Sequence, residues 1–379
     1  MRVLQIVFAW GSGGVERLIC NYAENMKGVE IDVLVLQKYV ENSIFNDTIR
    51  MNGGEIYHLE NVDGWLIKRL YSRYKKISEF CSAQEYDIIH VNGGTGIDCL
   101  YAYGAKSGSP KSKIIMQAHA DNVEPPHEIF KHIVHRVGKV FFSNKPDAYL
   151  ACSKNSLNWM FRKAHLQKKP SSVLFNGIEL NNFIYSEDER NSFRLELGVS
   201  GKYVVGTVGR FAPQKNPIFI VDIIKELSKL DTDTVFLWVG DGPMFDEIKT
   251  IARENHLNNI IFAGATKNTR KYYLAMDCFI LPSVYEGLGI VNIEAQATGL
   301  PCVVSDKVPE EANVTDLIHF VSLQESARNW AKIIMEKKKI SRCDKSEAIK
   351  RKGYDRYDCA QNLQAFYNAL LEGGNYDKV

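Results

Sequence analysis

Pro282-Ser283-Val284-Tyr285-Glu286-Gly287-Leu288-Gly289-Ile290-Val291-Asn292-Ile293-Glu294-Ala295-Gln296-Ala297 follows a short apolar run at 278–281 and changes character at its two glycines. Four apolar residues closed by Pro and Ser read as a buried strand, and the stretch beyond the glycines reads as a helix ending near Gly299. Glu286 then lies in the strand-to-helix loop and Glu294 about two turns further on, so both carboxylates point to one region. Between them, Gly287, Leu288, Gly289 and Ile290 expose main-chain amides at a helix start, where a phosphate is favoured. Glu286 suits sugar hydroxyls and Glu294 ribose hydroxyls. The plainer alternative makes Glu286 a dipole-complementing residue and Glu294 a solvated helix residue; it explains neither the glycines nor the apolar flanks.

The same strand-loop-helix unit recurs on both sides. Short apolar runs fall at 3–8, 31–36, 55–58, 87–91, 113–118, 148–152 and 172–175, with amphipathic segments between them. A polar, strand-poor stretch at 181–190 interrupts the pattern, which resumes at 203–208, 235–239, 260–262, 278–281, 301–304 and 319–321. Such alternation predicts an α/β protein with two successive doubly wound parallel sheets. The expected division is 1–183, 184–354 and a closing segment, 355–379, in which Cys359, Leu363, Phe366, Tyr367 and Leu370 repeat at helical spacing.

With 379 residues the chain is long enough for two cores, and a formal net charge of +2 creates no field of the kind nucleic acid requires. The eight cysteines are scattered without a CxxC pair, which suits reduced thiols rather than disulfides or zinc. The N-terminal strand lacks the features of a signal peptide, and no run is apolar for the length a bilayer demands. The expected location is therefore cytoplasmic, with any membrane work done at the surface. Two segments, 65–77 and 129–142, mix apolar residues with Lys68, Arg69, Arg73, Lys75, Lys76 and with Lys131, Arg136, Lys139. Basic amphipathic helices lie on anionic lipid, although a core face with a solvated basic face gives the same pattern.

Two further loops carry chemistry. Trp10-Gly11-Ser12-Gly13-Gly14-Val15-Glu16 joins the first strand to a helix, which allows close approach of an anion to Gly13 and Gly14. The spacing is not GxGxxG, and Gln37-Lys38 stand where a dinucleotide ribose wants an acid, so a nicotinamide cofactor is disfavoured. Thr207-Val208-Gly209-Arg210-Phe211-Ala212-Pro213-Gln214-Lys215-Asn216 leaves the first strand of the second series. Arg210 and Lys215 project where open α/β sheets bind ligands, and two cations there suit a diphosphate.

Together with Leu237-Trp238-Val239-Gly240-Asp241-Gly242-Pro243 and Asn176-Gly177-Ile178, these segments resemble the retaining glycosyltransferases of family four, in the order that family shows them. The likeness spans nearly the whole chain and is strongest to bacterial enzymes of capsule and exopolysaccharide assembly. Glu16 after Val15, where Ala is commoner, and Glu179 in place of Asp are departures. The resemblance implies the GT-B fold, two Rossmann-like domains facing a cleft, with the closing helix crossing back to the first. It assigns donor binding to Gly13, Gly14, Arg210, Lys215, Gly240, Glu286, Gly287, Leu288, Gly289, Ile290 and Glu294. His119, in Met116-Gln117-Ala118-His119, matches the active-site histidine, and catalysis falls to His119, Glu286, Arg210 and Lys215.

What the resemblance implies for chemistry is transfer of a hexose or N-acetylhexosamine with retention, from a nucleotide-sugar, uridine diphosphate being the expected nucleotide. The acceptor is expected to be a lipid-linked oligosaccharide. No metal or other cofactor is expected: Asp231-Thr232-Asp233 has the DxD form, but it precedes a strand, on the wrong edge of the sheet, and reads as a turn and cap. A nucleotide-sugar epimerase of the same form and a non-catalytic sugar-binding component are the rival readings.

Overall fold

A computed structural model describes residues 1–379 except 12, 42, 44, 60–63, 124–127, 267, 375–379 and the side chain at 38. Thirteen strands run through it: β1 (Arg2–Trp10), β2 (Glu30–Tyr39), β3 (Ile56–His58), β4 (Ile88–Gly93), β5 (Lys113–Ala118), β6 (Ala148–Ala151), β7 (Ser171–Val173), β8 (Val204–Val208), β9 (Val235–Val239), β10 (Ile260–Gly264), β11 (Cys278–Leu281), β12 (Cys302–Ser305) and β13 (Ile318–Val321). They form two all-parallel sheets, ordered β3-β2-β1-β4-β5-β6-β7 and β10-β9-β8-β11-β12-β13. Helical crossovers bury both faces of such sheets, which is why β8, β9 and β11 are apolar almost throughout and wholly buried. This is the α/β architecture of two Rossmann-like units.

Chain contacts divide the molecule at Gly177: Met1–Gly177 and the segment from Arg356 onward make one unit, and Ile178–Asp355 the other. The sequence reading put the division at 183. The short turn Leu180–Phe183 belongs with the second unit because Leu180 and Phe183 are buried there, Phe183 against the Tyr273 ring. Helix Arg356–Glu372 buries Cys359 and packs Leu363, Phe366, Tyr367 and Leu370 into the first-unit core with Leu18, Ile19 and Tyr22 of helix Gly14–Asn25.

Helix Glu128–Phe141 of the first unit is turned unusually. Its buried residues are His135 and Gly138, while Ile129 (81% exposed), Phe130, Ile133, Val137, Val140 and Phe141 (64%) form one apolar stripe open to solvent. Two glycines make this arrangement possible: a methyl group on Gly138 would lie 2.3 Å from the Ile97 backbone, and one on Gly96 2.3 Å from the His135 carbonyl oxygen. His135 accepts from the Gly96 amide at 2.9 Å and stacks on Trp159, and Lys139 donates to the carbonyls of Asn158 and Trp159. In helix Leu66–Ser82, Arg73 does not join the basic surface expected of it. It is buried, donating to Gln37 Oε1 (2.8 Å) and lying over the Phe8 ring.

Candidate active site

β8 and β11 are neighbours at the point where the order of the second sheet reverses. Loops leaving such a pair diverge to opposite faces and open a crevice at the carboxyl ends of the strands. Arg210 and Lys215 follow β8, and Glu286 follows β11. Hydrogen bonds tie the two loops: the Val284 amide donates to the Gln214 carbonyl (2.8 Å), and the Gln214 side-chain amide to the Tyr285 carbonyl (3.1 Å). Across this tie Lys215 Nζ pairs with Glu286 Oε1, which also accepts from Ser283 Oγ at 2.8 Å. The Lys215 and Glu286 side chains are only 17% and 6% exposed, so the pair is largely screened from water.

Arg210 stands apart from that pair. Its guanidinium is exposed and has no ion-pair partner among the described residues. A charge that the fold does not neutralise remains available to an anion.

Gly240 and Gly242 explain how the crevice floor is built. A Cβ on Gly240 (φ 139°) would lie 1.9 Å from the Gly209 carbonyl oxygen, and one on Gly242 would lie 2.6 Å from that of Phe211. The loop after β9 thus presses directly on the loop that carries Arg210. Gly240 packs backbone to backbone against Gly209.

The Glu286 loop passes through Gly289 in the left-handed region (φ 74°) and into helix Ile290–Ala297, whose first-turn amides point out of the helix end. Leu288 is buried, while Gly287, Gly289 and Ile290 are half-buried. Glu294 is not the solvated residue of the plainer reading: it is 5% exposed and accepts from the Tyr273 hydroxyl at 2.8 Å. Asn292, which the sequence reading passed over, is fully buried beside Gly289 with neither amide atom partnered among the described residues. An Asn amid Ile293, Ala295 and Ala297 was the available signal.

In the first unit Gly13 caps helix Gly14–Asn25, and the Glu16 carboxylate folds back so closely that a Cβ on Gly13 would meet it at 2.4 Å. The helix end that the sequence offers to a phosphate therefore already carries a negative charge. His119 follows β5. Its amide donates to the Gly93 carbonyl (2.9 Å) and its Nε2 lies 2.8 Å from Asn92 Oδ1. Burial lowers its pKa to about 4, so the imidazole is neutral at physiological pH. Asp231, first member of the DxD triplet, pairs with Lys338 (3.0 Å) and accepts the Asp233 amide (3.0 Å), as a turn and cap does.

Comparison with known proteins agrees with this architecture. Residues 189–356 match the family described as Glycosyl transferases group 1, and residues 12–182 match Glycosyltransferase Family 4. With the two matches spanning nearly all of both units, the chain belongs to the family-four, group 1 glycosyltransferases of GT-B fold. A putative glycosyltransferase of Bacillus subtilis, EpsF, is 25% identical over 375 residues, 97% of this chain and 95% of that protein. The UDP-Gal:alpha-D-GlcNAc-diphosphoundecaprenol alpha-1,3-galactosyltransferase of Escherichia coli is 27% identical over 63% of this chain and 62% of its own length. In fold, HepE of Anabaena, solved with UDP and glucose, superposes with a TM-score of 0.74 at 18% identity over 97% of this chain and 100% of its own.

Proposed function

We propose that this glycosyltransferase moves a hexose or N-acetylhexosamine from a UDP-sugar to a lipid-linked oligosaccharide in bacterial capsular or exopolysaccharide synthesis, with retention and without a metal. The observation that carries the reading is that Arg210, the Lys215–Glu286 pair and the Gly289 helix start all follow the two strands of the β8–β11 reversal. Relatives named for transfer to diphosphoundecaprenol-linked sugars support the acceptor class, and the UDP bound to HepE supports the nucleotide. Neither an epimerase nor a non-catalytic binder is favoured by these likenesses.

In the proposed reaction the acceptor hydroxyl oxygen attacks the anomeric carbon on the face from which the diphosphate departs. The bond from that carbon to the diphosphate oxygen breaks, and the hydroxyl proton passes to the leaving phosphate. Arg210, Lys215 and the amides of Leu288, Gly289 and Ile290 stabilise the charge that develops there. Lys215 turns from Glu286 towards the phosphate, which frees the carboxylate for sugar hydroxyls. Glu294 holds the ribose. His119, being neutral, accepts or donates a hydrogen bond without acting as a charge. Gly13 and Gly14 serve as a close-approach loop, since Glu16 already opposes their helix end.

A donor panel incubated with a polyprenyl-diphosphate-linked saccharide in EDTA, read by mass spectrometry and NMR, tests this. One UDP-sugar should be consumed and the product anomeric proton should match the donor configuration. An inverted product, or turnover only after manganese is restored, contradicts the mechanism; turnover of donor alone to an isomer supports the epimerase.

The exposed stripe of helix Glu128–Phe141, flanked by Lys131 and Arg136, is the proposed contact with an anionic membrane surface. Among the described residues no helix is long and apolar enough to cross a bilayer. The chain should float with phosphatidylglycerol vesicles and largely lose them after Ile133→Ser with Phe141→Ser, while soluble-acceptor turnover stays unchanged. Flotation that is unaffected by the double substitution would remove this helix from the proposal.

A further inference from the structure

The face of the first sheet that meets helix Arg356–Glu372 carries polar side chains in an otherwise apolar core. Gln5 of β1, His90 and Asn92 of β4 and Gln117 of β5 are all buried; Gln5 stands in register with His90, and Asn92 with Gln117. Buried polar groups are costly unless paired, so such a row needs a reason. For Gln5, His90 and Asn92 the hydrogen bonds supply one, whereas neither amide atom of Gln117 has a partner among the described residues. These bonds form a chain whose polarity can be read outward from Asn92.

Asn92 is the key link. One of its amide atoms lies 3.3 Å from the Ile6 carbonyl oxygen, which can only accept, so that atom must be the nitrogen, Nδ2. The same Nδ2 donates to Gln5 Oε1 at 2.9 Å. Gln5 Nε2 then donates to the Tyr367 hydroxyl (3.1 Å), which lies 2.6 Å from His90 Nδ1. With Nδ2 committed, Asn92 turns Oδ1 towards His119 Nε2 at 2.8 Å, and an amide oxygen requires a donor there.

We infer that Asn92 is a positioning residue: it holds His119 in the Nε2–H tautomer and leaves Nδ1 as the ring's only hydrogen-bond acceptor. The inference rests on the reading that His119 serves the sugar-transfer site. Nδ1 has no partner among the described residues. A neutral ring presenting a lone pair takes an O–H donor and rejects a phosphate oxygen, which is itself an acceptor. His119 therefore meets a hydroxyl of the sugar or of the acceptor molecule rather than the diphosphate. Tyr367 is a link of the same chain, which gives the closing helix a part in ordering the histidine.

The test is long-range proton–nitrogen NMR on the full chain labelled at histidine, with His119 assigned by its loss in His119→Gln. The expected spectrum shows a protonated Nε2 and a bare Nδ1 at pH 7; a protonated Nδ1 overturns the inference. Asn92→Leu should then give mixed tautomers and lower kcat about tenfold with donor KM unchanged, the scale of one net hydrogen bond. Unaltered tautomer and kcat in a folded Asn92→Leu protein also overturn it. If Asn92→Leu does not fold, the parent spectrum alone decides. His119→Gln turning over like the parent would instead defeat the catalytic reading of His119, an outcome the tautomer measurement does not share.

Discussion

Arg210→Ala should lower kcat/KM at least roughly a hundredfold, the scale of removing one preorganised charge-stabilising group, while leaving the fold as stable as before. Both halves follow from where the residue sits. Arg210 is exposed with no ion-pair partner among the described residues, and substitutions at such positions ordinarily change stability by less than about 0.5 kcal/mol. Its contribution therefore lies in what it offers a ligand. Arg210→Lys should recover only part of the rate, because an ammonium restores charge without the planar fork that grips two phosphate oxygens. Steady-state kinetics alongside thermal melts check this. A turnover within about threefold of the parent would leave Arg210 without the assigned role.

The second large effect concerns Lys215 and Glu286. Lys215→Ala strands a largely buried carboxylate whose remaining side-chain partner among the described residues is Ser283, and breaking such a pair from one side costs about 3–5 kcal/mol when burial is complete. Partial exposure of Lys215 puts the expectation at the lower end. Glu286→Ala should cost a similar amount by stranding the ammonium. Joining Lys215→Met with Glu286→Gln removes both charges and should recover most of that stability. Turnover should stay at least roughly a hundredfold down in all three proteins, since each lacks the phosphate cation, the sugar carboxylate or both. Denaturant titration and kinetics separate the two losses. If activity returns together with stability in the double variant, the pair is structural and the donor is held by other groups.

Both expectations depend on adjacency that no sequence window contains. The strands themselves were legible because a parallel sheet covered on both faces needs continuous apolar runs, and 204–208, 235–239 and 278–281 have few polar interruptions. Strand ends were less so: β12 begins at Cys302 because Pro301 has no amide to give to the ladder. The identities of Arg210, Lys215, Glu286 and Glu294 were visible as charges placed after strands or on a following helix. Their pairing was not, because Lys215 and Glu286 meet only through the β8–β11 neighbourhood. Asn92 was invisible for a different reason. A polar residue near the end of a buried strand carries no sign of its partners, which come from β1 and from His119 just after β5. Helix Glu128–Phe141 shows the limit of periodicity, which reveals an apolar stripe without saying which side faces water; there the small side of Gly138 turned inward.

Crystals soaked with uridine diphosphate give the most direct test of the central claim, that the second unit grips the donor's diphosphate. The β-phosphate should lie within hydrogen-bond distance of Arg210, Lys215 and the amides of Leu288 to Ile290, with Lys215 drawn away from Glu286. A nucleotide bound elsewhere, with the Lys215–Glu286 pair intact and Arg210 untouched, would contradict the account.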